Sequence, residues 1–242
     1  MSIIDELGYL FIAFGPSLSL FFFTVARNPH EVIVMIVGAF FWNLSLFFAS
    51  IIRVIVPPLK DEPAWSVPFA VMFQELFRYA FYKLLIKADD MLALISEDTS
   101  ELRKHKLAYV AGMGFGVASG AIMFSNVLKS AAGPGTVGIF GDSNYFILQS
   151  AFGASIFVLL HICWGVLFFD AVRNKDWIKL VIALSSHMLA SSLTLLNSWY
   201  SPVYSLVFCA ILLVLLAIYS LHTAGANFKK LHYVLIPFIK TS

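Results

Sequence analysis

Charge is scarce in this sequence: Asp, Glu, Lys and Arg make up 12% of its 242 residues, about half the share of a soluble domain. With a net charge of +2 and two cysteines, it is not a basic nucleic-acid binder, a charge-rich disordered chain or a disulfide-stapled scaffold. Cys163 and Cys209 sit in long apolar runs, where a thiol behaves as a small hydrophobe. No basic residue precedes Arg27, and Asp5 and Glu6 open the chain. The first apolar run therefore lacks the positive flank of a cleaved signal peptide and is expected to stay as a span. The alternating ten-residue segments of a membrane β-barrel are missing, as are repeats of 20–50 residues.

What is present is apolar: 60% hydrophobic and 16% aromatic residues, with a mean hydropathy of +0.86. A soluble fold could not cover that surface, so lipid is the solvent for most of the chain. Crossing ~30 Å of hydrocarbon takes about 20 apolar residues. Seven runs qualify, at about 4–26, 32–56, 66–87, 107–128, 145–171, 177–198 and 202–223. They predict an all-α membrane protein, a single domain over residues 1–242 with seven transmembrane helices. Odd parity puts the termini on opposite sides, and twelve of the sixteen basic residues fall on one face: Arg27, Lys83, Lys87, Arg103, Lys104, Lys106, Arg173, Lys175, Lys179, Lys229, Lys230 and Lys240. That face is expected to be cytosolic, with the N-terminus exoplasmic and the C-terminus cytosolic. Trp65, Trp177, Trp199 and Tyr109 lie near the expected span ends, where amphipathic rings suit the interface.

Polar residues inside the runs are the candidates for function. Gly112, Gly116 and Gly120 recur every fourth residue; each step advances ~400°, so they share a strip ~80° wide on which another backbone can approach closely. The partner helix can lie in this chain or another. Gly114 is turned ~160–200° from that strip and is expected to matter less. Glu75 and Arg78 are i, i+3 on a helix and close enough to pair. An unpaired charge at mid-bilayer costs at least ~2.5–3.5 kcal/mol, so both must face protein or a wet cavity. His161 and His187 each lie nine residues, or ~13 Å, from the cytosolic ends of consecutive antiparallel helices. His187, Ser191, Thr194 and Ser198 follow the i, i+4, i+7, i+11 stripe of one face. A polar cavity between these two helices, lined by His161, His187, Ser191 and Thr194, is one reading; two separately satisfied histidines is the other.

Catalytic and cofactor motifs are weak. No carboxylate or third imidazole joins the histidine stripe and HExxH is absent, which argues against a metal. Val117-Ala118-Ser119-Gly120 has valine where a rhomboid protease's first glycine belongs, and Asp142 after Gly141 falls in an expected exoplasmic loop with no tyrosine–aspartate partner in any span. Gly133–Gly138 fits GxGxxG only by letter, because no strand–helix unit surrounds it. Asn43-Leu44-Ser45 is a glycosylation sequon inside an expected span. No lysine lies between Lys179 and Lys229 to form a retinal Schiff base in the last span, and receptor signatures are missing.

Over most of residues 10–200 the sequence resembles the family of the anterior-pharynx-defective (Aph) subunit of γ-secretase. The resemblance is carried by AFGPSLSLFF (13–22), GAFFW (38–42), QELFRYAFYKLLIKADD (74–90), LAYVAGMGFGVASG (107–120), GPGTVGIFGDSNYF (133–146), LLHICWGVLFFDA (159–171) and SSHMLASSLTLLNSWY (185–200). It implies a non-catalytic, seven-span scaffold without cofactor or metal, with an exoplasmic N-terminus. Its implied partners are presenilin, nicastrin and the presenilin enhancer. Its implied setting is the endoplasmic reticulum, Golgi and plasma membrane, where the complex cleaves type I membrane proteins such as Notch and amyloid precursor protein. It further implies assembly roles for Gly112, Gly116 and Gly120 and for His161 and His187. The rival reading from the residues is a polytopic membrane enzyme or transporter working through a His161/His187 polar cavity.

Overall fold

The computed structural model describes residues 3–93, 101–132, 145–198 and 202–226, and these are helical nearly throughout, without a strand. The elements are α1 (Ile3–Leu20), continued by a π-helical turn (Phe21–Val25), α2 (Pro29–Ile55), the five-residue α3 (Pro57–Asp61), α4 (Pro63–Ala93), α5 (Glu101–Ala132), α6 (Phe146–Asn174), α7 (Trp177–Leu193) with a 3-10 extension (Thr194–Ser198), and α8 (Val203–Thr223). Among the described residues, six stretches are long and apolar enough to cross a membrane: Ile4–Val25, Pro29–Ile55, Lys104–Ser125, Phe146–Asn174, Trp177–Asn197 and Val203–Thr223. The expected span at 66–87 falls inside α4, which is not among the six because its polar residues dilute the apolar run. The Gly133–Gly138 loop, Asp142 and the basic tail at Lys229, Lys230 and Lys240 lie outside the described residues, as do Trp199 and the side chain of Ser198.

Helix boundaries follow local chemistry. Asn28 caps α2 by accepting from the His30 backbone N–H (3.1 Å), and Pro29 fills the first helical position, where no amide partner is needed. The α6–α7 connection is two residues long. Lys175 takes the left-handed conformation (φ 56°), and Asp176 caps α7 by accepting from the Lys179 N–H at 3.0 Å. Near the end of α1 the ladder widens by one residue, Ala26 N–H reaching the Phe21 carbonyl at 2.9 Å. Thr24 hydrogen-bonds the Leu20 carbonyl (2.6 Å) and the Tyr109 hydroxyl (2.9 Å) there.

Two helices form the axis of the bundle. Of the membrane-length windows of α5 and α6, 61% and 72% are buried, against 17–22% for the other four candidate spans. α2 packs on α5, α4 on α2 and α7, and α1, α7 and α8 on α6. One apolar core joins Trp42, Phe81, Tyr82, Phe115, Phe168 and Phe169; another joins Leu160, Trp164, Leu167, Ala183, Cys209 and Leu216. The outer faces stay apolar, with Phe40, Phe47, Ile211 and Val214 more than half exposed, as helices facing lipid require. Trp65 and Trp177 are exposed at helix starts, in keeping with interfacial rings.

Candidate functional site

The glycine strip meets α6 of the same chain. A Cβ built on Gly112 would lie 2.7 Å from the His161 carbonyl oxygen and 2.9 Å from Ile162 Cα, and one on Gly116 would lie 2.5 Å from the Val158 carbonyl oxygen. At Gly120 the nearest atom is Val158 Cγ2, at 2.6 Å. The contact is reciprocal, since a Cβ on Gly165 of α6 would sit 2.7 Å from Gly112 Cα. These distances leave no space for a side chain.

Gly114 corrects an expectation. It does face away from the strip, but the opposite face of α5 is also a seam. A Cβ there would run into the Met35 carbonyl and come within 2.9 Å of the Ala39 nitrogen on α2. Gly38 of α2 returns the contact, 2.9 Å from the Ala111 carbonyl oxygen. α5 is therefore clasped by backbone on two sides, which explains its burial.

The charged residues form one constellation rather than two. α4 supplies Glu75 and Arg78, α6 supplies His161 and Trp164, α7 supplies Ser186 and His187, and all six are buried. Arg78 Nη2 lies 3.4 Å from Glu75 Oε1 and 3.0 Å from His161 Nδ1. Glu75 Oε1 also meets His187 Nδ1, at 2.5 Å. A guanidinium can only donate, so His161 Nδ1 accepts and the imidazole is neutral with its proton on Nε2. An ionised Glu75 can only accept, so His187 donates from Nδ1. The two imidazoles are 5.1 Å apart at 80°. Trp164 stacks on His187 at 4.0 Å and 25° and donates from Nε1 to Ser186 Oγ at 3.0 Å. The Arg78 guanidinium carbon lies 5.0 Å from the Phe115 ring of α5, a cation–π contact. Its Nε and Nη1 have no hydrogen-bond partner among the described residues.

Ser191 and Thr194 are not part of this constellation. The Thr194 hydroxyl donates to the Ser191 carbonyl at 2.7 Å, within its own helix. A serine or threonine can be satisfied by the turn before it, so a shared helical stripe does not of itself make a cavity wall. Sequence reasoning places Ser186 among the hydroxyls around the histidines but passes over Trp164, which completes the set, and Gly38 and Gly165, which complete the seams. It also missed Asp170, buried at the end of α6. This carboxylate accepts from Arg173 (2.9 Å), Asn174 (3.0 Å) and Lys179 (2.5 Å), tying α6 to α7. Asp170 closing an apolar run, with Arg173 at i+3 and Asn174 at i+4, was the available signal. Among the described residues no group of three or more His, Cys, Asp or Glu is arranged to hold a metal.

Long apolar helices around paired charges define a multi-pass integral membrane protein. The sequence model of the family described as Aph-1 protein matches residues 4–227. The chain is 40% identical over 241 residues to "Gamma-secretase subunit Aph-1b" of Danio rerio, covering 96% of this chain and 93% of that one. It is 41% identical over 239 residues to "Gamma-secretase subunit APH-1B" of Homo sapiens, covering 95% and 92%. With "Gamma-secretase subunit Aph-1" of Drosophila melanogaster it shares 39% over 228 residues, covering 94% and 95%. This chain belongs to the Aph-1 family.

Proposed function

We propose that the chain is the non-catalytic scaffold subunit of a γ-secretase complex, holding the protease together through lateral helix packing. One observation carries this reading beyond the names of the relatives. Glu75, Arg78, His161 and His187 are turned on one another and tie α4, α6 and α7. Charges arranged this way fix helix positions rather than present a nucleophile or an acid–base pair to a substrate. In this reading the glycine seams and the charged constellation shape the surface that presenilin, nicastrin and the presenilin enhancer recognise. The catalytic carboxylates acting on type I membrane proteins such as Notch and amyloid precursor protein then belong to a partner.

The same proposal takes α4 as the seventh span. Its 31 residues extend about 46 Å at 1.5 Å each, enough to cross. Its two intramembrane charges turn inward while Met72 and Leu76 face out. A composition test averages over both faces and so undervalues it. Seven spans in one domain over residues 1–242, an exoplasmic N-terminus, a cytosolic C-terminus and passage through endoplasmic reticulum, Golgi and plasma membrane complete the reading. Affinity purification of the tagged chain in mild detergent, with partners identified by mass, should recover a presenilin-type aspartyl protease. The chain reconstituted alone should leave a membrane substrate intact. Proteolysis by the purified chain without partners would overturn the scaffold assignment.

A further inference from the structure

Asn43 is out of place on the outside of the bundle. It lies fourteen residues from Pro29 and twelve from Ile55, the ends of α2, so about 21 and 18 Å of helix separate it from either end. That is mid-bilayer. Its side chain is exposed, and one amide N–H turns back to the Ala39 carbonyl at 2.9 Å. The other N–H and Oδ1 take no partner among the described residues. Elsewhere in the six membrane-length stretches, every exposed polar side chain among the described residues is a hydroxyl bonded to its own helix or sits in the first or last turn. Lipid tails offer no hydrogen bond at this depth, and an amide group left without one there is costly.

The face around Asn43 has the spacing of a helix seam. Ile36, Phe40, Asn43, Phe47, Ser50 and Val54 follow one another in alternating steps of four and three, and the four apolar members are 59–72% exposed. The stripe runs about 27 Å, nearly the ~30 Å of hydrocarbon. Its rotation is fixed from behind, because Gly38 locks the inner side of α2 against α5. A second copy of this chain fits poorly. Two identical helices facing each other across a two-fold axis set Phe40 against Phe40 and Phe47 against Phe47, one turn to either side of the amides. Facing rings in both layers hold the backbones further apart than two short amides reach, whereas a different helix can set small residues against the rings.

We propose that the outer face of α2 docks a transmembrane helix of another subunit, one that brings an amide or hydroxyl to the depth of Asn43. Such a group both donates and accepts, so it answers the free N–H and Oδ1 together. The proposal rests on the scaffold reading and assigns it a surface. In the complex purified in mild detergent, benzoylphenylalanine replaces Phe40 or Phe47, one turn to either side of Asn43, and the photo-cross-linked species is identified by mass. Both positions should cross-link to one membrane segment of another subunit. Asn43→Leu removes the amide with a side chain that hydrocarbon favours. At equal membrane expression it should lower the yield of that cross-link by about three- to tenfold, the worth of one hydrogen bond between membrane helices. Asn43→Gln keeps an amide and should retain most of the yield. Cross-links to lipid alone, or to a second copy of this chain, would overturn the docking face, as would an undiminished yield with Asn43→Leu. Partners that co-purify while positions 40 and 47 reach only lipid would remove this surface and leave the scaffold reading standing. An unmodified chain that recovers no partner at all would remove both.

Discussion

Gly116→Ala adds a single methyl group, and its consequence can be worked out from the seam. The new Cβ would lie 2.5 Å from the Val158 carbonyl oxygen and 3.0 Å from Val158 Cα, so ordinary contact at 3.4 Å is missed by 0.9 Å. Both obstacles are backbone, so no side chain can rotate away and the helices must part. A gap of 0.5–1 Å forfeits about a quarter to a half of each dispersion contact along the seam, and overpacking of this kind costs about 1–3 kcal/mol. Against this stands the gain of alanine over glycine as a helix former, up to about 1 kcal/mol. The net expectation is a loss of up to about 2 kcal/mol, which lowers the melting temperature of a chain this size by up to about 8 °C. Gly153→Ala is the matched control. A Cβ there meets only Met123 Cε at 3.7 Å, so the propensity gain stands alone and the melting temperature should hold or rise. The assay is thermal unfolding of the full chain in mild detergent, followed by helical circular dichroism. If Gly116→Ala melts at or above the unmodified chain while Gly153→Ala melts below it, the two glycines have been ranked in the wrong order and the close approach of α5 to α6 is not a stabilising contact.

Gly114→Leu should destabilise about as much as Gly116→Leu in the same assay, because each inserts a branched side chain against backbone, one on α2 and the other on α6. Glu75→Ala leaves the Arg78 guanidinium buried without its counter-ion and should cost about 3–5 kcal/mol; adding Arg78→Ala should recover part of that loss, read as melting temperature and folded yield. Asp170→Asn keeps the shape but weakens the bonds from Arg173 and Lys179, each worth about 1.5–3 kcal/mol, so amide hydrogen exchange should accelerate across residues 174–179 while the middle of α6 stays protected. In a Gly112→Ala/His161→Ala double-mutant cycle the two losses should fail to add by more than about 0.5 kcal/mol, because the alanine methyl strikes the backbone of the residue that carries the imidazole.

The helices were legible because a bilayer leaves little choice: backbone amides must be satisfied within the segment, so a 20-residue apolar run is read almost directly as a helix. Glu75 with Arg78 was legible from i, i+3 spacing, and the shared depth of His161 and His187 from counting. That these four meet was not, since Glu75 and His187 are 112 residues apart in sequence and periodicity names a face without naming what lies against it. Gly114 failed for the same reason. Its angle on α5 was right, but the angle says nothing of a second helix with its own Gly38. Thr194 differs again, because its hydroxyl turns back to the Ser191 carbonyl of its own helix.

The glycine seam and the charged constellation are a single arrangement. A Cβ on Gly112 would strike the carbonyl of His161 itself, so one close approach of α5 to α6 falls at the residue whose imidazole takes the 3.0 Å bond from Arg78. One turn along α5, Phe115 lies under the same guanidinium. Parting the two helices by a methyl's width would carry His161 away from α5 while leaving Phe115 behind, so Arg78 could not keep both contacts. In water such a loss is made good by solvent, whereas here the ion pair with Glu75 remains but a buried donor left unpaired costs about 1–3 kcal/mol. At Gly112 the helix gives up about 1 kcal/mol relative to alanine, no more than that cost. Gly112 of α5 thereby supports a charge on α4, a helix that does not carry it.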